Sequence, residues 1–166
     1  MKGTDRFLIA IVAGAVLLVG VVLALALLRT NQPGYQPDDT PEGVAHNYLL
    51  ALQLEDYERA YGYLSPTLPG YPADVGTFEH NLLLSHWGFF SPFEDVSLAV
   101  ESVKVSGDGA RVVVRRTEFY RFGLFDSGQH STAFDMTLHR EQSAWRVTDS
   151  ERYYWASCWR SFKGCQ

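Results

Sequence analysis

Residues 96–122 read VSLAVESVKVSGDGARVVVRRTEFYRF, and the fold turns on this stretch. Val96 to Val105 is strand-like, Ser106-Gly107-Asp108-Gly109 is a tight turn, and Ala110 to about Phe122 runs back. Two strand-type runs joined by a glycine-bearing turn predict a β-hairpin. Leu124 to Gly128 reads as a second loop. Beyond it, His130 to His139 alternates, with Thr132, Phe134, Met136 and Leu138 on one face and Asp135, Thr137 and His139 on the other. That period of two is the mark of a half-buried strand. Trp145, Val147 and their neighbours to about Tyr154 make a last strand, so the second half of the chain is an antiparallel sheet.

Upstream the apolar period changes to that of helices. Thr40-Pro41-Glu42 is a helix start: a capping hydroxyl, a proline in the first turn, then an acid near the positive helix end. Val44, Tyr48, Leu49 and Leu52 follow at helical spacing. Asp56 is placed to cap a short second helix with Tyr57, Ala60, Tyr61 and Leu64 on its apolar side, and Ser65-Pro66 stops it. A third helix is predicted from near Phe78 to Ser85, capped by Thr77. Helices followed by an antiparallel sheet predict an α+β fold.

The N-terminus carries a different signal. Phe7 to Leu28 has no charged or polar side chain over about 22 residues, roughly 33 Å as a helix. The reading is a transmembrane helix, since a hydrocarbon core is about 30 Å thick. Lys2 and Arg6 precede the run, whereas Asp38, Asp39 and Glu42 follow it. The positive-inside rule then predicts a cell-membrane location, with residues 1–6 cytoplasmic and the domain extracytoplasmic. The competing reading is a signal peptide cleaved after Ala26. Residues 29–40, rich in Pro33, Gly34 and Pro37, read as a linker, which leaves 41–166 as one domain.

Charge divides the domain. From Asp38 to Glu101 there are eleven acids and one base, Arg59; from Ser102 to Gln166 there are ten bases and seven acids. The pattern suits an acidic helical layer on a mildly basic sheet, and it excludes the dense basic patch of a nucleic-acid binder. No phosphate-cradling loop or nucleophile elbow is present, and the five histidines lack metal-ligand spacing, so no metal and no cofactor is expected. Cys158 and Cys165 form a disulfide if the domain is extracytoplasmic, and are free thiols in a reducing compartment. Asp149 follows Trp145 and Val147 at alternate positions, so it is expected to face inward as a base or as a structural acceptor. Trp87 and Phe90 belong to an aromatic cluster that either plugs the core or lines a pocket.

The run PEGVAHNYLLALQLEDYERAYGYLSP, Pro41 to Pro66, resembles the opening helices of nuclear-transport-factor-2-like domains. The Gly107-Asp108-Gly109 turn and the closing Ala144-Trp145-Arg146-Val147-Thr148-Asp149 are similar too. The resemblance implies a cone, a curved antiparallel sheet wrapped round helices with an internal cavity. Catalytic relatives such as ketosteroid isomerases use a tyrosine and two acids there, roles for which Tyr57, Tyr61 and Asp149 match in residue type. With Trp87 and Phe90 these make the candidate pocket. Anchored relatives include assembly subunits of secretion systems and the leading domain of some penicillin-binding proteins.

Three functions follow as expectations: a non-catalytic, membrane-anchored binding or assembly domain; a small isomerase- or dehydratase-like enzyme acting on a hydrophobic ligand; and an accessory subunit of an envelope complex. The expected partners are the membrane through Phe7 to Leu28, a small hydrophobic ligand, and a protein or second copy at the sheet face.

Overall fold

A computed structural model describes residues 3–28, 34–84, 95–121 and 127–153, with side chains at 11–24, 34–83, 96–120 and 127–153. The chain forms two units, Met1–Gly34 and Tyr35–Gln166.

The first unit contains the helix α1 (Gly3–Leu28). Its described apolar side chains, among them Ile11, Val16, Leu17 and Leu23, are exposed. The expected transmembrane anchor is corrected here, and with it the single-pass location: among the described residues no helix is long and apolar enough to cross a membrane.

The second unit begins with α2 (Pro41–Gln53), α3 (Tyr57–Tyr63) and α4 (Val75–Leu84). Thr40 caps α2 by accepting from the Gly43 amide, and Asp56 caps α3 through the Arg59 amide, both as the sequence predicts. For α4 the cap differs from Thr77. Asp74 accepts the Thr77 amide at 2.7 Å, so the helix starts earlier, at Val75. That bond holds the Asp74 carboxyl below the usual carboxylate range.

Residues 35–40 are sewn to the domain rather than acting as a linker. Fully buried Asn47 accepts from the Gln36 amide at 2.7 Å and donates to the Gln36 carbonyl at 2.7 Å and to Asp38 at 2.6 Å. One side-chain amide thus satisfies a passing backbone on both sides, as a neighbouring strand would. Gly43 lets the strap approach α2, because a Cβ there would collide with the Pro37 carbonyl. Tyr35 closes the strap by donating to Asp56, with the Arg59 guanidinium 3.5 Å from its ring centroid.

Four strands complete the unit: β1 (Asp95–Ser106), β2 (Gly109–Arg121), β3 (Ser127–Glu141) and β4 (Ala144–Ser150). They form one antiparallel meander in the order β1-β2-β3-β4. Gly107, at φ 58°, supplies the positive φ that the first two-residue hairpin turn needs. Leu64 adds a parallel bridge to Val147, and the Ser65 amide donates to the Val147 carbonyl at 3.0 Å, which covers the outer edge of β4. Helix α2 lies against all four strands. Its Val44, Tyr48 and Leu52 meet Val112, Val114, Met136, Leu138 and Val147 in one core.

Candidate functional site

Pairing register sets the helix-facing side of the sheet as a series of cross-strand rows. At one end stand Val105–Ala110–Leu138–Val147, then Val103–Val112–Met136–Ser150, then Val100–Val114–Phe134. At the other end the chemistry changes. The next rows are Leu98–Arg116–Thr132 and Val96–Glu118–His130. Strand β2 thus runs from valine to arginine to glutamate on one face, with no change of phase.

Arg116 is only 8% exposed. Its Nε donates to the Tyr153 hydroxyl at 2.6 Å, and its Nη1 pairs with the Glu118 carboxylate. The other oxygen of Glu118 accepts from the Tyr120 hydroxyl at 2.8 Å. Tyr153 is held from two more directions. Its carbonyl accepts from the Tyr48 hydroxyl on α2 at 2.8 Å, and its ring lies 5.5 Å from that of Phe134. Burial pushes the Tyr48 hydroxyl pKa far upward, so this donor stays protonated. Tyr153 also has φ 59°, a left-handed conformation that costs a non-glycine residue about 1–3 kcal/mol. The backbone is bent at that cost and places a phenol on the buried arginine.

A buried ion pair is a poor stabiliser, because desolvation offsets most of its attraction, and apolar residues of equal volume often serve stability better. An Arg–Glu pair at the end of a largely apolar face is therefore a functional-site candidate. It forms an anchoring point beside an apolar wall. As an acid–base pair it is disfavoured, since both Glu118 oxygens are engaged, one of them by a guanidinium.

The residues expected from sequence do not converge. Tyr61 stacks on Tyr71 at 5.0 Å and Phe78 at 5.7 Å, and donates to the Pro72 carbonyl at 2.9 Å. Tyr57 is half-buried on the same helix, and its pKa is raised by burial and then by the charges of Glu55 and Glu79. Asp149 sits elsewhere. The pairing slips between Thr137 and Leu138, so that Thr137 faces Asp149 while Leu138 faces Val147. Thr148 is the extra residue of a β-bulge, which reverses the alternation after Val147. Ser150, fully buried opposite Met136, takes the inward position, and Asp149 lies on the outer face with exposed Thr137. The expected inward acid is thus corrected. Trp87, Phe90, Cys158 and Cys165 fall outside the described residues.

Sequence reasoning missed Arg116, Glu118 and Tyr153 as a unit. A signal was present in the even spacing of Val112, Val114, Arg116 and Glu118, which puts charge on a core face. Among the described residues no group of three His, Cys, Asp or Glu is placed to hold a metal.

No family model matches the chain, and no curated protein matches it. A solved structure of a SEC-C motif-containing protein from Rhodopseudomonas palustris is similar at 16% identity with a TM-score of 0.49, covering 72% of this chain and 83% of that one. Likeness at that level carries neither fold nor activity across.

Proposed function

We propose that the Tyr35–Gln166 unit is a non-catalytic binding or assembly domain of nuclear-transport-factor-2-like type, with the Arg116–Glu118–Tyr153 network as the polar anchor for a hydrophobic ligand. The pair of buried Arg116 with half-buried Glu118 on the helix-facing sheet carries this reading. A core built only for stability gains little from such a pair. A ligand with an apolar body and one polar end gains an orienting contact there. The non-catalytic part rests on Glu118, whose carboxylate is committed to Arg116 and Tyr120, whereas general acid–base work needs a group within hydrogen-bond reach of the substrate proton.

The test uses the full chain and decanoate, an apolar molecule with one polar end. Saturable binding is expected, weakened at least tenfold in the volume-conserving double variant Arg116→Met/Glu118→Leu. Equal affinity in the folded double variant would remove the network from function. Turnover of a hydrophobic keto or hydroxy compound, abolished by Glu118→Gln in a folded protein, would replace this reading with the isomerase-like one.

A further inference from the structure

An open cleft of about 780 Å³ lies between the turn after α3 and the β3–β4 hairpin. Thr67, His139, Arg140, Glu141, Arg146 and Thr148 are among its walls. The volume falls within the roughly 300–1,000 Å³ of small-molecule sites. None of these residues belongs to the Arg116 network.

The charges in the cleft are not balanced. Two arginines line it against one acid, and that acid is hydrogen-bonded: Glu141 Oε1 accepts from Ser65 Oγ at 2.6 Å and Thr67 Oγ1 at 3.3 Å. His139 and Arg146 are direct cross-strand partners, so they stand on the same face of the sheet. Arg146 is steadied by donating one terminal N–H to the Gly62 carbonyl. A guanidinium has five such donors in a rigid fork. Arg140 is steadied too, its guanidinium lying 4.7 Å from the Trp145 ring centroid. Arginines fixed in plane suit carboxylate and phosphate oxygens, because less side-chain freedom is lost on pairing.

We infer that this cleft binds a small molecule bearing a carboxylate or phosphate group, with Arg146 and His139 donating to its oxygens and Arg140 forming the rim. Calorimetric titration of the full chain with inorganic phosphate, and separately with succinate, tests this. At least one of the two is expected to bind saturably at a single site, and the tighter of them assigns the head group. His139→Gln should weaken that binding at least tenfold. Arg146→Met should do so as well, but Arg146 also bonds Gly62, so the exposed His139 decides the matter if Arg146→Met unfolds. The double variant Arg116→Met/Glu118→Leu should bind the same anion with unchanged affinity, which separates this site from the helix-facing one. No saturable binding of either anion, or unchanged affinity in His139→Gln, would overturn the inference.

Discussion

The two ends of the helix-facing sheet are built on the same strands and the same pleat, yet they solve different problems. The rows through Val112 and Val114 are apolar from β1 to β3 and share one core with α2. The rows through Arg116 and Glu118 hold charge on that same face. Apolar rows tolerate any neighbour of suitable volume. Charged rows need named partners, and here they recruit Tyr120 from their own strand and Tyr153 from beyond β4. Packing explains the first end. The second is stable only as a complete set.

That contrast can be broken most sharply at Arg116. Arg116→Ala leaves the half-buried Glu118 carboxylate without its cation and should cost about 3–5 kcal/mol in chemical denaturation. The double variant Arg116→Met/Glu118→Leu should be far milder, within about 1 kcal/mol of wild type or more stable. A double variant as unstable as Arg116→Ala would mean that the pair stabilises the fold outright. At the apolar end, Met136→Ala opens a cavity and should cost about 2–4 kcal/mol, with no change in decanoate affinity.

A smaller effect is expected where the strap docks. Asn47→Ala strands the Gln36 amide and carbonyl and should cost about 1–3 kcal/mol. Hydrogen exchange should rise across residues 35–40 and leave the sheet protected. Equal exchange in the two proteins would mean that Tyr35 and Arg59 hold the strap without Asn47.

Asp149→Asn should shift stability by less than about 1 kcal/mol, because Asp149 lies on the outer face after the Thr148 bulge. A loss of several kcal/mol would restore it to the interior. The smallest effect concerns Asp74. Its folded pKa is depressed, so its capping contribution is complete above the unfolded value near 4 and is lost as pH falls through the lower folded value. Asp74→Ala should therefore differ from wild type at pH 7 and converge with it in strong acid, as read from helical circular dichroism.

The sequence by itself determined the order and kind of the domain's elements. Thr40-Pro41 and Asp56 announce two helices with their own capping atoms, Ser106 to Gly109 announces a hairpin, and the alternation from Thr132 to Leu138 names the buried face of β3. These are local rules, set by φ preferences and by side chains reaching only a few residues along the chain. Tertiary structure decided what depends on distant partners. One bulged residue, Thr148, turned Asp149 outward and Ser150 inward, and alternation cannot foresee an insertion that exists only relative to β3. Asn47 made part of a linker-like segment into a strap by meeting Gln36 across 11 positions. Arg116 acquired its meaning from Tyr153, 37 residues away, whose left-handed backbone is held by Tyr48 on α2. A charge on a buried face is legible in one dimension, but the partners that make it tolerable are chosen by the fold, because desolvation is offset only where donors and acceptors meet in space.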